Sequence, residues 1–146
     1  MTTHADRAAE AFAKGYNCSQ AVLVAFAAEL NLDEATALKM AAPFGGGLAQ
    51  RGDACGAVTG AMMVLGLARA STDSTPQAKG PVYKLTNELF RRFNERNMSI
   101  QCRDLLGFEL STPEGMRLAT ERDVHHKVCP KFVRDAAEIV EQLLAE

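Results

Sequence analysis

Apolar positions recur at helical spacing almost from the start of this chain, and nowhere do they alternate in the manner of a strand. Residues 4–14 place Ala8, Ala9, Phe12 and Ala13 on a short helix, with Gly15 positioned to end it. Asn17 is a natural N-cap for a second helix over 18–30. Its stretch Ala21–Ala28 is apolar on every side, the pattern of a helix buried all round. Asp33 caps a third helix over 34–42, stopped before Pro43. Residues 43–53 form a glycine-rich loop, and Asp53 is placed to cap a fourth helix over 54–70, again almost wholly apolar. Ser71–Gly80 is polar and reads as a surface loop or a turn of helix. A fifth helix over 81–98 starts with Pro81 in its first turn. It turns Val82, Leu85, Leu89 and Phe93 inward and Arg91, Arg92, Glu95 and Arg96 outward. A short turn over 100–106 ends at Gly107, Thr112-Pro113 opens another short helix, and Pro130 opens the last, over 130–145. These elements predict an all-α, single-domain helical bundle over 1–146, in which two apolar central helices are wrapped by amphipathic ones.

Composition narrows the function. Acidic and basic residues nearly balance at a net charge of -2, which leaves no electrostatic footprint for nucleic acid or an anionic membrane. Tryptophan is absent and aromatics are sparse, so base-stacking platforms are missing too. The longest apolar run, Ala54–Ala68, is interrupted by Gly56, Gly60 and Gly66 and is short for a membrane span. The first residues show no basic segment followed by an apolar one, and the expectation is a cytoplasmic protein. In a reducing compartment, cysteines bind metal or cycle catalytically more often than they form permanent staples.

Four cysteines, Cys18, Cys55, Cys102 and Cys129, are therefore the most informative residues. They are separated by 36, 46 and 26 residues, which removes the C-x-x-C of thioredoxins and ordinary zinc ribbons. Their contexts are alike: Cys18 follows Asn17, Cys55 follows Asp53 by two, Cys102 follows Ser99 by three, and Cys129 precedes Pro130. Each is thereby expected in the first turn of a helix, where unpaired N–H groups and the positive dipole end favour a thiolate. The same N–H groups can donate to cluster sulfurs and raise a reduction potential. The bland alternative is that four small apolar residues fill an alanine-rich core. Gly52, Gly56 and Gly60 recur every four residues beside Cys55, although each glycine inside a helix costs about 1 kcal/mol relative to alanine. Such a strip serves close approach, either by another helix or by a bound cofactor.

Cys18, the stretch Cys55-Gly56-Ala57-Val58-Thr59-Gly60, Cys102 and Cys129 together resemble the signature of the C_GCAxxG_C_C family of redox-active proteins. Gly15-Tyr16-Asn17-Cys18-Ser19-Gln20 and Gly45-Gly46-Gly47 resemble family features as well. The resemblance covers nearly the whole chain and implies a largely helical, redox-active protein whose four cysteines carry the chemistry. A similar domain accompanies haem and an iron–sulfur centre in split-Soret cytochromes. This chain has no C-x-x-C-H, so covalent haem attachment is not implied.

Three functions follow as expectations. The first is electron transfer through an iron–sulfur cluster, such as [2Fe–2S], or a zinc site, held by the four thiolates. The second is metal-free thiol–disulfide chemistry in one of three connectivities. The third is a helical binding or oligomerisation module. A redox partner protein is expected in the first two, and plentiful apolar residues are compatible with a homodimer. Other candidates weigh less. Gly45-Gly46-Gly47 lacks the P-loop lysine and a preceding strand. His125 and His126 read as a solvated loop and Met62 and Met63 as packing. Arg103 and Asp104 read as capping and solvating groups beside Cys102, with Arg103 able to lower a thiol pKa.

Overall fold

In a computed structural model that describes residues 2–146, the chain folds as an all-α bundle, with no strand among the described residues. The helices are α1 (His4–Ala13), α2 (Cys18–Ala27), α3 (Glu34–Ala41), α4 (Gly56–Arg69) and α5 (Pro76–Asn97). They continue as α6 (Cys102–Leu106), α7 (Pro113–Glu121), α8 (Val124–Lys127) and α9 (Cys129–Ala145). Tight 3-10 turns follow α2 over Ala28–Leu30 and α3 over Ala42–Phe44, the second absorbing Pro43.

Local capping chemistry fixes most starts. Asn17 Oδ1 accepts from the Gln20 N–H at 2.9 Å while Gln20 Oε1 accepts from the Asn17 N–H, a reciprocal capping box. Both side chains then reach onward. Gln20 Nε2 donates to the Leu38 carbonyl and Asn17 Nδ2 to that of Ala42, which pins the end of α3 to the start of α2. Cys18 therefore begins its helix in a frame set by two elements. Asp33 and Thr112 cap α3 and α7 in the ordinary way.

α2 and α4 form the centre, with α1, α5 and α9 packed around them and α3 against α2. Val22, Leu23, Val58, Val64 and Leu65 of the central pair are completely buried, together with Leu89 and Phe93 of α5 and Val133, Ile139 and Val140 of α9. The α2–α4 crossing is close because it is lined by small residues. A Cβ at Gly60 would lie 2.6 Å from the Ser19 carbonyl oxygen, and one at Gly56 would lie 3.0 Å from the Ser19 nitrogen. Helix approach is thus the reason for these two glycines. Gly60→Ala must push α2 from α4, an overpacking cost of about 1–3 kcal/mol. Alanine returns up to about 1 kcal/mol in helix propensity. Chemical denaturation is expected to show a net loss, and an unchanged midpoint would refute the tight crossing.

Four boundaries differ from expectation. α4 begins at Gly56 with Cys55 as its N-cap, because the Asp53 carboxylate is taken by the guanidinium groups of Arg103 and Arg51. α5 begins at Pro76, capped by Thr75, so that Pro81 lies inside the helix instead of at its start, and the segment 71–80, read as a surface loop or a turn of helix, is a loop that runs into the first turns of α5. That proline is exposed near the helix start, where the removed hydrogen bond lies at the solvent-facing end of α5. α8 is a helix where the sequence suggests a loop, and α9 starts at Cys129 rather than at Pro130. Among the described residues, no helix is long and apolar enough to cross a membrane.

Candidate functional site

Each cysteine stands at a helix start: Cys18, Cys102 and Cys129 are the first residues of α2, α6 and α9, and Cys55 caps α4. All four are free thiols and all four line one cavity of about 600 Å3. They are mutual neighbours there, Cys18 beside Cys129 and Cys55 near Cys102, with Cys102 also near Cys129. The Cys55 N–H donates to the Ile100 carbonyl at 2.7 Å and the Cys102 N–H to the Asp53 carbonyl at 2.7 Å. These bonds form an isolated antiparallel bridge at Ala54 and Gln101. Arg103 secures it by donating from its backbone and its Nε to the Gly52 carbonyl. Cys18 and Cys129 lie close enough that each shifts the other's pKa, Cys18 upward and Cys129 downward. Among the described residues, no three His, Cys, Asp or Glu side chains draw close enough to share a single ion.

The glycine-rich loop builds another wall. Five successive residues, Gly46 to Gln50, have φ between 49° and 72°, a left-handed turn that includes Leu48, Ala49 and Gln50. Left-handed backbone costs about 1–2 kcal/mol for each non-glycine residue. The turn is held by internal bonds, Ala49 N–H to the Pro43 carbonyl, Gln50 to Gly45, Gly52 to Gly46 and Asp53 to Gly47. It brings Gly47 so near α6 that a Cβ there would lie 2.6 Å from Cys102 Cβ. The N–H groups of Gly46 and Gly47 have no hydrogen-bond partner among the described residues, and both residues line the cavity. Three consecutive glycines were the signal for this wall. The left-handed turn itself has no sequence signature, since three of its residues disfavour it.

Of the glycines expected at a cofactor, Gly56 lines the cavity. Gly60 packs on Ser19, and Gly52, with φ +77°, faces Arg103 ahead of α4.

Burial overturns the expectation of four thiolates. Desolvation pushes the Cys55 thiol up to about 12, although the amides of Ala57 and Val58 pull the other way. Cys102 is raised to about 11 by burial and by the nearby Cys129. Cys18 is held well above its ordinary range by its contact with Cys129, with burial adding to the effect. Cys129 alone is lowered, by the same contact. The partial charge of a helix start does not match the loss of water around a buried sulfur. Arg103 does not act on Cys102 as expected, because it is paired with Asp53.

His125 is also corrected: it lies on α8, stacks on Phe12 with ring centroids 4.1 Å apart, and lines the cavity. His126 points away to Asp123 at 2.7 Å. Met63 packs against the core whereas Met62 is 36% exposed, and neither lines the cavity. Asp104 accepts from the Ser99 hydroxyl at 2.8 Å.

Residues 16–143 match a family model whose description reads "Putative redox-active protein (C_GCAxxG_C_C)". No curated protein and no solved structure matches the chain.

Proposed function

The chain belongs to the C_GCAxxG_C_C family of redox-active proteins, and on that premise we propose that Cys18, Cys55, Cys102 and Cys129 hold an iron–sulfur cluster for electron transfer. The observation that carries this reading is that four thiols from four helix starts line one cavity. Four cysteine ligands are the count that both [2Fe–2S] and [4Fe–4S] clusters take. Zinc in a four-cysteine site takes the same ligand count, and metal analysis of one preparation distinguishes the two. The donor set fits in a second respect: Gly46 and Gly47, whose N–H groups have no hydrogen-bond partner among the described residues, line a cavity that lacks carboxylates, and such donors suit sulfur anions. When bound, the cluster supplies one-electron transfer. The chain's own part is to deliver four sulfurs, exclude water through the buried walls at Cys55 and Cys102, and surrender four thiol protons on loading.

Protein purified without oxygen is expected to be brown, with visible charge-transfer absorption and iron in cluster stoichiometry. Cys55→Ser is expected to lose both. A colourless anaerobic preparation without iron would overturn the reading.

The contact between Cys18 and Cys129 supports a second function, a reversible disulfide. Cys129, with its lowered pKa, would be the attacking sulfur and Cys18 its neutral partner. Oxidation of metal-free protein by a disulfide such as oxidised glutathione would remove two titratable thiols, and peptide mapping would join Cys18 to Cys129.

A further inference from the structure

We propose that the cysteine cavity also takes an uncharged, mainly apolar small molecule that carries carbonyl oxygens. Three observations define this ligand. The first is size: about 600 Å3 lies within the range of small-molecule sites.

The second is charge. Among the described residues, the cavity is lined by no Asp, Glu, Lys or Arg side chain. A phosphate group, whose charge is localised and which no covalent bond to the protein holds, would surrender its hydration with no Lys or Arg side chain to meet it, which is costly. An uncharged molecule meets no such penalty.

The third is the character of the walls. Leu105 and Leu106 of α6, Leu110 of the following loop, and Met116 and Ala119 of α7 contribute an apolar face. It is only partly covered, and Met116 is 40% exposed. The other wall is the backbone of Gly46 and Gly47, whose N–H groups have no partner among the described residues and are neutral donors of the kind that match carbonyl oxygens. An apolar body with one or two carbonyls is therefore what this space recognises. A substituted quinone has that chemistry, and its choice as the probe rests on the redox reading of the same site.

The test titrates the full chain, metal-free and cluster-loaded, with tetramethyl-1,4-benzoquinone, which has no open ring position for a thiol to attack. Calorimetry is expected to show saturable binding of one molecule per chain. Methyl NMR signals of Leu110, Met116 and Ala119 are expected to shift. Anthraquinone-2-sulfonate, which carries a charge, is expected not to saturate. Leu110→Asp sets a carboxylate in the apolar wall and is expected to weaken binding at least ~10-fold, which is about 1.4 kcal/mol. Met116→Leu is expected to retain binding. The proposal is overturned if neither form of the protein binds the quinone saturably, if the sulfonate binds as tightly, or if a folded Leu110→Asp variant binds as the parent does. Failure of the cluster reading is separately visible. A brown, iron-loaded protein that ignores the quinone overturns the ligand alone, whereas a colourless protein that binds it overturns the cluster alone.

Discussion

Gly47→Ala is expected to abolish loading of the proposed cluster while leaving most of the helix content in place. Gly47 has φ +72°, and its added Cβ would meet Cys102 Cβ at 2.6 Å and the Asp53 nitrogen at 2.7 Å. Neither neighbour is the free end of a flexible side chain, so no rotamer relieves the contact. About 1–2 kcal/mol of left-handed backbone strain adds to an overpacking cost of about 1–3 kcal/mol. The helical core lies elsewhere, and the distortion falls on the turn, on the Ala54–Gln101 bridge and on Cys102. Circular dichroism and iron analysis on one preparation test this, and a variant with full iron would sink it. Gly66→Ala is the control. Gly66 lies in α4 with open space around its Cβ position, and alanine there is expected to stabilise by up to about 1 kcal/mol.

The reduced, metal-free chain is expected to lose stability steeply in alkali. An ordinary thiol titrates near 9, while Cys55 in the folded state titrates near 12 and Cys102 near 11. Below about pH 9 both states keep these protons and pH has little effect. Above it the unfolded chain releases them while the folded chain does not, so unfolding is favoured until the folded pKa is passed. Between about pH 8 and about pH 10.5 each of the two thiols is expected to remove roughly 2 kcal/mol. Cys129 opposes the trend, since its lowered pKa contributes stability that is present at high pH and lost on acidification through its folded value. Anaerobic urea titrations across this range measure the slope. Cys55→Ala should lessen it by the share of Cys55 while Cys102 keeps the remainder, and an equal slope in that variant would refute the assignment to Cys55.

Much of the bundle was legible because helix starts are local events. Asn17, Asp33 and Thr112 each cap a helix through bonds spanning three residues, and such bonds show in a short window of sequence. Asp53 carries the same signal and does not cap, because its partner Arg103 lies fifty positions away and only the fold brings it near. Pro81 reads as a first-turn residue, yet Thr75 and Pro76 form an equally good start one turn and a half earlier. At the site, sequence placed the cysteines at helix starts but misjudged their protonation. Dipole effects are visible from position in a helix, whereas desolvation depends on everything packed around the sulfur, as Cys55 shows. The left-handed turn was beyond reach for the same reason, since it is held by bonds that Leu48, Ala49 and Gln50 do not advertise.

The two cysteine pairs are nested along the chain, Cys55 with Cys102 inside and Cys18 with Cys129 outside. Joining the inner pair shortens the effective loop that the outer pair must close, so the entropic cost of the second closure falls once the first is made. Cys129 also opens α9, which has to dock on α1, α4 and α5 before its sulfur arrives. A chain emerging from the ribosome therefore offers three sulfurs long before it offers four. Whatever the four hold together can be held only by a chain whose last helix has come home, and a loaded site certifies a finished fold.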